Sequence, residues 1–305
     1  MPDSQMNFWE ETLGRSLPPK QIFGGKLKEQ NRINDKKLRR GPEFFEDVMI
    51  SKKEKIHIGT SGWVYRHWRG VFYPEDLPDK KKLKFFSEHF KTAEVNYSFY
   101  RLPALKVFEN WREQTPDDFI FAVKASRFIT HVKRLRDVGG AWTEFLRRAK
   151  GLKEKTGPLL LQFSPNFKFN DANLRRIETF LEESKSIEKK LFGKKLKLAF
   201  EFRDASWVNE KIFEVLKKHQ AAWVIADSGA YPKTEAVTAR FVYVRMHGPA
   251  GLFGSGYPEN EIKSLAERIK TWTKNNLEVY VYFNNDAQGF AVKNAKELLS
   301  FLKRL

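Results

Sequence analysis

At 305 residues and 35.8 kDa the chain suits one large domain or two modest ones, and 41% hydrophobic residues, with 27 Phe, 8 Trp and 9 Tyr, suffice for a sizeable core. The absence of cysteine excludes disulfide scaffolds, thiolate zinc centres, iron–sulfur clusters and cysteine nucleophiles. A formal net charge of +18 favours polyanions such as nucleic acid, phosphorylated metabolites or acidic membrane surfaces, and a lysine-rich lineage would produce the same balance.

Residues 1–55 differ from the rest. Pro18-Pro19, Gly24-Gly25 and the basic cluster Lys36-Lys37-Leu38-Arg39-Arg40 interrupt any apolar period, so a charged, partly disordered extension is expected there. The extension is heavily charged and lacks an apolar signal core. The longest uncharged run, Met246–Pro258, is rich in glycine and proline and falls well short of the roughly 20 apolar residues that span a bilayer. A cytoplasmic protein with no membrane partner is expected.

From residue 56 to the C-terminus, short β-rich runs alternate with helical patterns. The predicted strands are Ile56–Thr60, Thr92–Asn96, Phe119–Lys124, Pro158–Phe163, Leu196–Glu201, Ala222–Asp227, Phe241–Met246 and Glu278–Asn284. Between and after them, Leu83–Phe90, Ala104–Gln114, Thr143–Leu152, Leu174–Glu183, Lys211–Gln220, Ile262–Asn275 and Ala287–Leu302 carry apolar residues at helical spacing. This alternation over 56–305 predicts an α/β fold, a TIM-type (β/α)₈ barrel. The interval between the sixth and seventh strands is too short for a full helix, so the sixth helix should be short or missing.

Alternation along the strands sorts them into two faces. One face (Ile56/Ile58, Ala93/Val95, Phe121/Val123, Leu159/Leu161, Leu198/Phe200, Val224/Ala226, Val242/Val244, Val279/Val281) is uniformly apolar and suits packing under helices. The other ends in Gly59, Asn96, Lys124, Gln162, Glu201, Asp227, Arg245 and Asn284, all polar except the glycine. If that face points inward, these residues ring the C-terminal mouth, where barrel enzymes build their sites. Internal ion pairing, Lys124 with Glu201 and Arg245 with Asp227, is the competing reading. A ligand site is preferred because barrel interiors usually fill with branched apolar residues.

Glu201, Asp227, Lys124 and Glu94 are the candidate catalytic groups. The carboxylates would act as acid and base, and Lys124 as an electrophile or base. The ligand-binding candidates begin with Gly59, Ser61 and Trp63 on the first loop, where Ser61 to Arg69 interleaves aromatics and cations. That loop could stack on bases or sugars, or fold down as a lid. Asn96, Tyr100, Gln162, Arg203 and Trp207 follow. Arg245, His247 and Gly248 then open the glycine-rich stretch Gly251–Gly256, which would suit an anion subsite or a mobile lid, and Asn284 with Asn285 ends the set. The six histidines form no HxH or HExxH pair, so no metal is favoured. A single Mg²⁺ or Mn²⁺ on Glu94, Glu201, Asp227 and His247 remains compatible with ligand hardness. No cofactor motif is visible.

Read together, Ile58-Gly59-Thr60-Ser61-Gly62-Trp63, Glu94-Val95-Asn96, Phe99-Tyr100, Phe121-Ala122-Val123-Lys124, Thr130-His131 and Leu161-Gln162-Phe163 with Pro165 resemble the YecE-like family, domain of unknown function 72. Glu201-Phe202-Arg203, Ser206-Trp207, Arg245 with His247-Gly248, and Tyr282-Phe283-Asn284-Asn285 extend the resemblance toward the C-terminus. It implies a TIM-type barrel with the shared residues at its mouth, assigns no reaction, and leaves the first 55 residues unmatched. The expected function is binding of a small phosphate- or sugar-bearing ligand, with hydrolase, lyase or isomerase chemistry in view. The alternatives are a nucleic-acid-binding barrel, with or without cleavage, and a barrel with a structural role alone.

Overall fold

The structure, a computed structural model, describes residues 55–250 and 252–304. The expectations for the extension therefore fall, Lys55 apart, outside the described residues. Eight parallel strands close into a barrel in chain order: β1 (Ile56–Ser61), β2 (Thr92–Val95), β3 (Ile120–Lys124), β4 (Thr156–Gln162), β5 (Leu198–Glu201), β6 (Ala222–Ser228), β7 (Phe241–Gly248) and β8 (Glu278–Phe283). Hydrogen bonding of β8 to β1 leaves no sheet edge to protect.

The outer layer consists of α1 (Lys82–His89), α2 (Leu105–Glu113), α3 (Gly139–Ala149), α4 (Asp171–Phe192), α5 (Glu210–Lys218), α6 (Glu259–Lys274) and α7 (Phe290–Arg304). Local signals explain several boundaries. Asn170 and Asn209 accept hydrogen bonds from the first-turn amides of Asn173 and Ile212, capping α4 and α5. Gly193 ends α4 at φ +70, a conformation open to glycine. As expected, no helix joins β6 to β7 among the described residues, and 229–240 crosses instead as an irregular segment. No described helix is long and apolar enough to cross a membrane.

Pairing register fixes which residues face inward. Ser61 lies opposite Glu94, Glu94 opposite Ala122, Lys124 opposite Leu160, and Gln162 opposite Glu201. Seven strands keep the expected facing, and β6 reverses it. Val224 lies opposite Tyr243 and Ala226 opposite Arg245, so both point inward, whereas Asp227 lies opposite Met246 on the outer face. The reason is compositional: Ala222 to Ala226 is apolar at every position, so a period of two has no contrast to read.

The interior is packed from the N-terminal side by aromatic and small residues, among them Tyr243, Tyr280, Tyr282, Val224, Ala199 and Leu160. Each tyrosine spends its hydroxyl on a buried or half-buried polar group. Tyr282 meets Thr92 Oγ1 at 2.7 Å, Tyr280 donates to Glu278 at 2.5 Å, and Tyr243 donates to Glu94 at 2.7 Å. Tyr243 thus joins the packed floor to the polar layer above it.

Candidate functional site at the barrel mouth

The floor of the mouth is one guanidinium held between two carboxylates. Arg245 donates from Nε and Nη2 to Glu94 at 3.0 and 2.7 Å, and from Nη1 to Glu201 at 2.7 Å. Nη2 also reaches Ser61 Oγ at 3.0 Å. Glu94 accepts further bonds from Ser61 and Tyr243, and Asn96 spans Ser61 and Glu94. All three charged groups are buried. Burial pushes the Glu94 carboxyl up, but the Arg245 guanidinium and the surrounding donors outweigh it and hold the group below the usual range. At Glu201 burial is likewise outweighed, by Arg245, His247 and Arg203, leaving its carboxyl well below the usual range. Both carboxylates are therefore permanent anions at neutral pH. The anticipated Arg245–Asp227 and Lys124–Glu201 pairings are replaced by this Glu94–Arg245–Glu201 bridge.

Toward the strands' C-terminal ends lie Lys124, Gln162, Arg203, His247 and Asn284. Lys124 is 6% exposed, and its ammonium lies 4.2 Å from the centroid of the Phe99 ring. No carboxylate within salt-bridge distance pairs with it among the described residues. Burial first, then Arg245 and Arg203, lower its pKa to about 7, against the opposing pull of Glu201 and Glu94. Gln162 Oε1 and His247 Nε2 are buried without a hydrogen-bond partner. The other His247 nitrogen, Nδ1, lies 3.1 Å from Asn284 Nδ2. With that amide as donor Nδ1 accepts, so the neutral ring carries its hydrogen on Nε2, 3.7 Å from Glu201. Burial lowers the His247 pKa and keeps the ring neutral, despite the opposing effect of Glu201. Arg203 donates to Glu201 at 3.2 Å while its guanidinium lies 4.4 Å from the centroid of the Tyr231 ring.

The segment after β3 adds a positive rim. A wide helical turn, Phe128–Val132, precedes three left-handed residues, Arg134, Leu135 and Asp137, at φ 50, 61 and 48. This backbone carries His131, whose ring meets Phe99 edge-on at 4.9 Å. Burial, then Lys124, Arg203, Arg127 and Arg134, depress its pKa to about 4. Arg127, His131 and Tyr231 were not among the expected site residues. His131 lay within a recognised motif, but Arg127 and Tyr231 sit neither at a strand end nor in any of the motifs that selected the others.

Several expected site residues serve the fold instead. Trp63 is buried against Trp111 and Phe121, with centroids at 5.3 and 5.9 Å, and Trp68 is fully buried beside Phe72 and Tyr73. The first loop therefore offers neither indole for stacking. Trp207 is buried against Phe202 and donates its indole N–H to the Phe167 carbonyl. A Cβ on Gly59 would lie 2.0 Å from the Thr92 carbonyl oxygen, so this glycine permits close strand packing. Asp227 is occupied by Tyr257 at 3.0 Å and Lys233 at 2.5 Å, outside the carboxylate layer, which removes it as the acid–base partner of Glu201. The Gly248 amide donates to Tyr257, and Asn285 ties the glycine-rich segment to α7 through Ser255 and Asn294. The first turn of α6 carries Glu259 and Glu261 and does not suit an anion. Tyr100, 43% exposed, belongs to the rim, where burial raises its pKa against Arg127 and Arg203.

The Glu94, Glu201, Asp227 and His247 set that ligand hardness allowed for a metal, though it was not favoured, is not assembled, because Arg245 engages both glutamates and Asp227 faces away. The mouth can instead offer Arg203, Lys124 and the His247 N–H to an anion.

The family model described as "Protein of unknown function DUF72" matches residues 57–305. YunF of Bacillus subtilis is 25% identical over 278 residues, covering 81% of this chain and 94% of that protein. YecE of Escherichia coli K12 is 34% identical over 114 residues, 37% of this chain and 39% of its own length. The crystal structure of a DUF72 family protein from Thermotoga maritima superposes with a TM-score of 0.72 at 30% identity, covering 81% of this chain and 99% of that one. With the match running through every strand of the barrel but its first residue, the chain belongs to the DUF72 family.

Proposed function

We propose that the barrel mouth binds a small phosphate- or sugar-bearing anion and that Lys124 exchanges a proton with it. The observation that carries this reading is the buried Lys124 amine, which faces an aromatic ring and has no paired carboxylate. Burying a charge without a partner is costly, and an incoming anion would supply that partner. Gln162 Oε1 and His247 Nε2 are unpartnered in the same layer and would bond the hydroxyls or oxygens of the ligand. Glu201, as a fixed anion, orients Arg203 rather than acting as an acid. A lysine titrating near neutrality can serve as base or acid, as a hydrolase, lyase or isomerase would require. The buried Trp63 and Trp68 give no support to nucleic-acid stacking.

The test is calorimetric titration of the full chain with sugar phosphates, inorganic phosphate, neutral sugars and single-stranded oligonucleotide. A saturable sugar-phosphate or phosphate isotherm, lost in Lys124→Met and Arg203→Met, is expected. Binding of oligonucleotide alone, or of the anions with equal strength in both variants, contradicts the proposal.

A further inference from the structure

On the outside of the barrel, a second cluster is independent of the mouth. Glu178 and Glu182 are one turn apart on α4, so their carboxylates share a face. His219 immediately follows α5 and brings its ring to that face. One ligand atom from each of the three side chains lies within 4.8 Å of the others. The second observation concerns the imidazole. His219 is 1% exposed, and both of its ring nitrogens lack a hydrogen-bond partner. A buried neutral imidazole normally satisfies one donor and one acceptor, so a ring that satisfies neither is unusual.

We propose that Glu178, Glu182 and His219 form a binding site for a divalent first-row transition metal of the Zn²⁺ class, clipping α4 to α5. One imidazole and two carboxylates are an ordinary donor set for such an ion. At Zn–N and Zn–O lengths of about 2.0–2.2 Å, tetrahedral ligand atoms lie about 3.4 Å apart, so the carboxylates need close only by a side-chain rotation. Solvent reaches the cluster through the exposed Glu182 and can supply the fourth ligand. Lys218 presently lies 2.7 Å from Glu178 and 3.9 Å from Glu182. Its side chain is 61% exposed and can swing away when an ion takes its place. The buried His219 is the fixed point, and the two glutamates move to it.

The experiment is titration of chelator-treated full-length protein with Zn²⁺ by calorimetry, and with Co²⁺ by visible absorption. Saturable uptake is expected, with a tetrahedral Co²⁺ spectrum. Glu182→Gln, at an exposed position that leaves the fold intact, should weaken it by more than about 100-fold, as should His219→Ala. Lys218→Met removes the competing cation and should tighten binding several-fold. Absence of uptake by the wild type, or uptake unchanged by Glu182→Gln and His219→Ala, overturns the assignment.

Discussion

Arg245 neutralises two buried carboxylates at once, and its five N–H donors fit that role where a lysine would not. Truncating it strands Glu94 and Glu201 in a layer where Ser61, Asn96 and Tyr243 can stabilise them only in part. Arg245→Met should therefore destabilise the barrel by about 3–5 kcal/mol, measured by urea unfolding. Adding Glu94→Gln and Glu201→Gln to that variant should restore part of the loss, because neutral amides no longer require a cation. Failure of the added substitutions to recover stability would show that packing, rather than unpaired charge, dominates the site. Lys124 behaves oppositely: its amine costs stability in the fold and is retained next to unpartnered donors and acceptors.

Strand packing around the barrel depends on how closely β1 approaches β2. Gly59→Ala would drive a methyl group onto the Thr92 carbonyl oxygen, which is backbone and has little room to move. It should cost about 3 kcal/mol or more, seen as a lower thermal midpoint and an unchanged profile of ligand selectivity. The barrel itself was legible because seven strands alternate apolar with polar residues or end in a polar one, and because the helices carry apolar residues at helical spacing. β6 was legible as a strand but not in its facing, since its apolar run contains no alternation and its single carboxylate, Asp227, lies on the outer face. Trp63, Trp68 and Trp207 misled for a related reason: a tryptophan in a loop that also carries cations looks the same in sequence whether it faces a ligand or the core. Tyr231 reaches Arg203 and His247 from the segment that replaces a helix after β6, a contact with no periodic signal. Of the site, the strand-end residues Glu94, Lys124, Gln162, Glu201 and Arg245 were readable, as were Tyr100 and Arg203 beyond the strands, whereas Arg127, His131 and Tyr231 were not.

Across the whole molecule, proton linkage at His131 and Lys124 acts in the same direction as net charge, while the carboxyls of Glu188 and Asp286, pushed up by burial, oppose it at the acid end. His131 has a folded pKa of about 4 against an ordinary 6.5, so below the ordinary value the unfolded chain binds more protons and stability falls with pH. Lys124, at about 7 against 10.5, gives the same sign between those values, with stability rising as pH rises. Glu278 is held at about 2: although burial pushes it up, His57 and Lys197 outweigh that effect, and its contribution is lost only as pH falls from about 4.5 toward 2. Raising the pH also reduces the self-repulsion of a chain with a net charge of +18. The thermal midpoint should thus climb from pH 5 to pH 9, and Lys124→Met should flatten the segment above pH 7. A midpoint that peaks near pH 6 would contradict this assignment of the buried lysine.

The same lysine allows the mouth to be tested directly. If an anion pairs with Lys124, binding raises its pKa and draws a proton from solvent above pH 7. Calorimetry of a bound sugar phosphate in two buffers of different ionisation enthalpy at pH 8 should show net uptake approaching a full proton, absent in Lys124→Met. Binding with no proton uptake, or with the same uptake in that variant, would contradict a mouth in which Lys124 meets the ligand's negative charge.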